Sequence, residues 1–256
     1  MSSLLVFFLC AGIVPAHATV YQYFDEEGTL IVTDNPYGLR TRRNTAFVPA
    51  HRPNLSLREG IGYDYYPVAG KNFHEAVHGA RLRGPQLTDD QKDFAAQTKW
   101  SLGWSYRFNS SYRIEQERVK VSLGIVDVEF ASDILVTLPA ATGEDGFSAE
   151  DMRQWNDFVQ RLLDHEHDHV RIVQDRREWD AALERIRSLR EIELPYAEGM
   201  NVDAEIRAAV EAETAKIGHE LIRTIKVRNE KYDRVTMHGI RAELRDGFFR
   251  EEGIPQ

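Results

Sequence analysis

The sequence predicts an α+β fold in which an antiparallel sheet precedes two long helices. Three observations carry this expectation. Apolar and aromatic residues alternate with a period of two through the middle of the chain, at Trp100, Leu102, Trp104, Tyr106 and Phe108. The period then becomes helical, with Met152, Trp155, Val159, Leu162, Val170 and Val173 on one stripe. A second helical stripe follows at Ile206, Val210, Ile217 and Leu221. With 256 residues the chain can bury a sizeable core, and 42% hydrophobic with 29% charged residues is an ordinary globular balance. The net charge is −9, and the densest basic cluster is only "RTRR" at 40–43, so no nucleic-acid partner is expected.

Residues 1–18, "MSSLLVFFLCAGIVPAHA", read as a signal peptide. The apolar run from Leu4 to Val14 is too short to span a bilayer and ends in Ala16-His17-Ala18, a cleavage pattern, although no Lys or Arg precedes it. Leu9 stands where a small residue should precede a lipidated Cys10. Cleavage after Ala18 leaves a secreted or periplasmic protein with no cysteine and no membrane insertion. Residues 19–50 form a small β-hairpin module: Tyr21, Tyr23, Leu30 and Val32 flank an acidic turn at Gly28, and Asn35-Pro36 closes it. Irregular, basic chain leads through a linker at 51–61 into the main domain, 62–256.

That domain opens with a strand in "YDYYPVAG" and a short helix in "NFHEAVHGARLRGP", stopped by Gly84-Pro85. After the aromatic strand, Val119, Val121, Leu123 and Ile125 predict another, and Ile134, Val136 and Leu138 a third. Ser148 with Asp151 forms a capping-box start for the first long helix. No Gly or Pro lies between Phe147 and Leu194, so that helix is expected to run on through Glu178 and Glu184. The second long helix is expected over 202–228, with His219 exposed.

Two HExxH matches occur, His74-Glu75-His78 and His165-Glu166-His169. In the first, Glu75 falls about 160° from Val77 on the apolar face, and Gly79 follows the second histidine directly. In the second, Glu166 lies within about 20° of the middle of the apolar stripe, His169 within about 40°, and His165 at its edge. His167 and Asp168 fall on other faces. A solvated patch would not put a carboxylate at the centre of an apolar face, because a buried carboxylate needs a partner. Histidines four apart can reach one zinc ion, and the glutamate after the first is placed as a general base. The third zinc ligand is not the histidine of a metzincin, since Ile172 and Asp175 occupy the positions that pattern needs. Glu178 and Glu184, on the same helix, would lie too far along it. Glu213, on the second helix, is one candidate from beyond Pro195, and "NEKYDRVTMHGIR" supplies Asp233 and His238.

"HExxH" on a late helix followed by "YDRVTMHG", with "YYPVAGKNFHEAVHGARLRGP" and "TKWSLGWSYRF" upstream, resembles a bacterial family of predicted secreted zinc-dependent proteases, a domain of unknown function. The likeness runs from about Gly62 to Gly239. It implies a zincin-like metallopeptidase with His165, Glu166 and His169 at its site and no metal motif on the upstream helix. The Tyr-Asp-x-x-Thr-x-His-Gly element falls on Tyr232, Asp233, Thr236, His238 and Gly239. The N-terminal stretch resembles a small domain of unknown function at the front of bacterial envelope proteins. The resulting expectation is an exported zinc metallopeptidase acting on peptide or protein substrates, with Glu166 as base. His238 is favoured as third zinc ligand over Asp233 and Glu213, because histidine is a common zinc ligand and Gly239 frees the adjoining backbone. Asp233 would then fix a ligand histidine, and Tyr232 would donate its hydroxyl to the developing oxyanion. Two other expectations stand beside it: a hydrolase of a cell-wall amide, and a non-catalytic zinc-containing envelope assembly or binding protein.

Overall fold

The computed structural model describes residues 20–24, 30–33, 55–85, 94–143 and 146–255. The expected signal peptide, the hairpin turn at Gly28 and the Asn35-Pro36 closure lie outside the described residues. Strands β1 (Val20–Phe24) and β2 (Leu30–Thr33) pair antiparallel, and β1 continues onto the edge of β4 (Gln97–Glu115). The sheet then passes through β5 (Arg118–Ala141) to β3 (Gly62–Val68), while β6 (Glu191–Pro195) adds to the far end of β5.

This sheet is mixed, not wholly antiparallel as the sequence predicted: β3 runs parallel to β5. The reason is that a period of two fixes which face of a strand is buried and leaves its direction open. Direction is set by the connection, here helix α1 (Phe73–Arg83), which carries the chain from β3 across to β4 on the other side of β5.

The two strands expected at 119–125 and 134–138 are one strand of 24 residues, paired with β4 along its length. Odd-numbered Val119 to Ile125 are buried, then even-numbered Ile134, Val136 and Leu138. The register shift opposite Ser105/Arg107, with Asp127 at φ 51, explains the change of parity. A bulge inserts one extra residue and moves every later side chain to the other phase. In β4 the even-numbered Leu102, Trp104, Tyr106 and Phe108 are buried, so one face of the sheet carries the core.

Helix α2 (Ala149–Val173) begins with the expected capping box between Ser148 and Asp151. It does not continue through Glu184. The chain breaks at Gln174, and Asp175 caps a separate helix α3 (Arg176–Arg187), accepting from the Arg177 amide. An Asp cap with Glu178 three residues on was the overlooked start signal. Helix α4 (Val202–Thr236) runs eight residues beyond its expected end at 228, so "NEKYDRVT" is helical. Gly218 lets α4 lie flat on β4: a Cβ there would meet the Trp104 ring at 2.0 Å. A short 3-10 turn (Ala242–Leu244) and helix α5 (Arg245–Glu251) fold back over the site's rear, burying Phe248 and Phe249.

Candidate metal centre

Helix α2 and the last third of α4 meet beside the start of β4. At 3.6 residues per turn, residues four apart share a helix face, which brings His165 and His169 together on α2, and Asn229 and Asp233 together on α4. Buried Ile225, one turn before Asn229, sets the phase that turns this face inward.

The Nε2 atoms of His165 and His169 lie 3.2 Å apart. Asp233 Oδ1 lies 3.2 Å from the first and 3.1 Å from the second. Among the described residues, these three side chains are the group whose donor atoms gather closely enough to hold one metal ion. A tetrahedral zinc with ligands about 2.0–2.1 Å away keeps neighbouring donors roughly 3.3 Å apart. The three separations therefore fit one face of such a tetrahedron. Two imidazoles and a carboxylate, with a cleft on the fourth side, are the donor set of a site that keeps a position open.

The tautomer of His169 supports the fit. Its Nδ1–H donates to Asn229 Oδ1 at 2.6 Å, and the Asn229 amide nitrogen donates to the Ile225 carbonyl, which fixes the amide's orientation. In the neutral ring this leaves the Nε2 lone pair facing the Asp233 carboxylate, a repulsion that only a proton or a cation relieves. In the metal-free chain the proton takes that place. Burial favours the neutral ring, but the hydrogen bond and charge of Asp233, with Glu166 and Asn229, push His169 up to about 9. For Asp233, burial opposes ionisation, yet the two histidines hold its carboxyl well below the usual range.

Glu166 is 5% exposed and lines the same cleft. Its Oε2 accepts from Thr98 Oγ1 at 2.6 Å, so strand β4 orients the carboxylate. The cleft encloses about 210 Å³, walled on its apolar side by Phe94, Trp100 and Leu162.

The other predicted residues fall differently. His238 lies at the rim, 41% exposed, its Nδ1 3.6 Å from Asp233 Oδ1 and its ring against Phe94, outside the gathered donor set. Asp233 occupies the donor position expected of His238 because α4 extends far enough to carry it inward, whereas the chain leaves the helix at Met237. Tyr232 does not reach the cleft. Its hydroxyl donates to Asp168 Oδ2, and its ring stacks on His165 at 5.2 Å. Burial, reinforced by the Asp168 charge, raises its phenol pKa, so it stays a donor. That places it behind His165, away from the cleft. Glu213 pairs with Lys216 at 2.5 Å and takes no part. Glu75 accepts from the Lys71 amide as part of the α1 cap, and His74 rests on Phe73.

Sequence reasoning missed Thr98 and Asn229. Thr98 shares the even parity of the buried β4 stripe, and Asn229 precedes Asp233 by four, the same spacing as the two histidines. His167 and Asp168, placed by the helical count off the apolar stripe on other faces, are buried because other segments cover them. Tyr63 holds His167 Nε2 at 2.8 Å, and Arg245 holds Asp168 at 2.6 Å. Burial, with Arg58 nearby, pushes His167 down to about 4.

Searches of curated proteins and of solved structures return no match. A family profile does match, over residues 63–239, with the description "Bacterial protein of unknown function (DUF922)". That span holds β3, α1, β4, β5, α2 and the whole donor set up to Gly239, and agrees with the bacterial family the motifs resemble. By this match across most of its length, the chain belongs to the DUF922 family of bacterial proteins.

Proposed function

We propose that this chain is an exported zinc-dependent peptidase of zincin-like architecture, with His165, His169 and Asp233 holding the metal and Glu166 acting as general base. The observation that carries the reading is the convergence on one cleft of a buried, hydroxyl-oriented carboxylate and a three-donor cluster. A zinc ion bound there supplies Lewis acidity, polarising a carbonyl and lowering the pKa of a water toward about 7. Glu166 takes the proton from the attacking water and returns it to the departing amine. Thr98 keeps the carboxylate aimed at the cleft, and Asn229 holds His169 in the tautomer that presents Nε2. The apolar wall of Phe94, Trp100 and Leu162 excludes water beside the reacting bond.

The test is zinc content together with hydrolysis of a mixed peptide library that includes cell-wall peptides. The Glu166→Gln protein should keep its zinc and lose about 10² to 10⁴ in rate. Hydrolysis at the wild-type rate by the zinc-loaded variant overturns the assignment of the base. Export is tested separately: mature protein recovered outside the cytoplasm should begin at Thr19.

One observation favours a second reading. His238 Nδ1 lies 3.6 Å from Asp233 Oδ1, so a fourth protein donor stands beside the three that gather. Four protein ligands close a zinc site and make it structural. A zinc-loaded wild type that is inert on every substrate, with His238→Ala losing zinc, would favour that reading.

A further inference from the structure

The two ligand histidines are held in different ways. His169 is fixed by a hydrogen bond from Nδ1 to Asn229. His165 Nδ1 is buried and has no hydrogen-bond partner among the described residues. Its ring is instead defined by what packs against it. Tyr232 stacks at 5.2 Å with an interplanar angle of 22°, and Gly239 comes so close that a Cβ there would lie 3.2 Å from the ring.

Tyr232 is in turn held from behind. Its hydroxyl donates to Asp168, which is 1% exposed, and the other oxygen of Asp168 accepts from Arg245 at 2.6 Å. Phe248 and Phe249 pack on the Tyr232 ring at 5.1 and 5.6 Å. Arg245, Phe248 and Phe249 all belong to the segment after residue 239, where the family match ends. The same segment is tied down at its far end, where Arg171 donates to the carbonyls of Pro255 at 2.6 Å and Ile254 at 3.1 Å. Lys231 also pairs with Glu251 and Glu252.

We infer that residues 240–255 form a clasp whose Arg245 acts as a positioning residue for the metal centre, setting the His165 ring through Asp168 and Tyr232. The functional meaning of this inference rests on the metal-centre reading, but the mechanical link does not. A buried carboxylate with two strong donors has one low-energy geometry, since leaving either oxygen unpaired costs its full desolvation. Arg245 therefore fixes Asp168, Asp168 fixes the Tyr232 hydroxyl, and the tyrosine ring leaves His165 one orientation for Nε2. Outer partners of this kind tune metal affinity about 10- to 100-fold.

The experiment uses the full mature chain and two readouts. In metal-free protein, the His165 ring protons should carry a ring-current shift from Tyr232, read by NMR with His165→Gln as the assignment control. Arg245→Met should move these resonances and weaken zinc binding about 10- to 100-fold, and Arg245→Lys, which keeps the charge, should recover most of both. Should Arg245→Met fail to fold, Tyr232→Phe carries the same expectation, because it keeps the ring and loses only the hydroxyl. Wild-type His165 resonances, or wild-type zinc affinity, in a folded Arg245→Met or Tyr232→Phe protein overturns the inference. If the wild type binds no zinc, the metal reading fails, and the metal-free resonances still decide the clasp.

Discussion

Asn229 accepts the Nδ1 proton of His169 at 2.6 Å, across sixty residues of sequence, and so decides which nitrogen of that ring faces Asp233. Replacing it should cost metal affinity while leaving every proposed ligand in place. Asn229→Ala is expected to weaken zinc binding about 10- to 100-fold, read by competition against a chelating dye. Unchanged affinity would show that the tautomer is set some other way.

The donor set makes a sharper prediction. His165→Ala, His169→Ala and Asp233→Ala should each abolish tight zinc binding, while Glu213→Ala should bind as the wild type does. His238→Ala should also retain tight binding, given its place at the rim. Loss of zinc in His238→Ala with retention in Asp233→Ala would reverse the assignment of the third ligand.

Legibility of this site in the sequence followed from how each residue announces itself. The HExxH helix was readable because an acid on the apolar stripe is anomalous and because Ser148 and Asp151 mark its start. Asp233 was given a supporting role because histidine is the commoner zinc ligand and Gly239 follows His238, and because the helix was expected to end at 228, before it could carry Asp233 inward. The burial of His167 and Asp168 was invisible to a helical count, which knows a helix's own faces and not what Tyr63 and Arg245 bring to them. The bulge in β5 split one strand into two apparent ones by reversing its parity.

Stability should depend on pH with a maximum near 6.5 in the chelated protein. His167 falls from 6.5 to about 4 on folding, so its stabilising contribution is complete above 6.5 and is lost as pH drops toward 4. His169 rises from 6.5 to about 9, so its contribution is complete below 6.5 and is lost as pH climbs through 9. Each pH unit inside either window is worth at most about 1.4 kcal/mol. Thermal melts across pH check this: His167→Gln should flatten the acid limb, and added zinc should remove the alkaline one by replacing the proton on His169.

Gly239 sits at φ 85 with its missing Cβ against His165. Gly239→Ala should cost roughly 1–2 kcal/mol from the left-handed backbone and weaken zinc binding as the ring is pushed. Gly124→Ala, where nothing lies within 4 Å, is the control and should change neither. Denaturant titration and zinc affinity together report the outcome.

Asp175 caps α3 and pairs with Arg177 and Arg228, with 1% of its side chain exposed. Asp175→Ala should cost about 3 kcal/mol, since it leaves a half-buried guanidinium short of a partner and removes a cap. Zinc affinity at a temperature where the variant is folded should be unchanged. A large loss of affinity there would mean that the α3 junction reaches the donor cluster.

His165 and Asp233 stand 68 residues apart in the chain, with α3, β6 and nearly all of α4 between them. An ion held by both would therefore be a cross-link that closes a long loop, and such links act by narrowing the unfolded chain's choices. The histidine pair alone, as it exists on a chain whose later helix has not yet docked, offers two imidazoles and surrenders metal to any better chelator. Only docking of the last element to be synthesised in that loop adds the carboxylate. If the chain takes a metal, the order of its elements would set the timing of capture: the ion would stay only once α4 has docked.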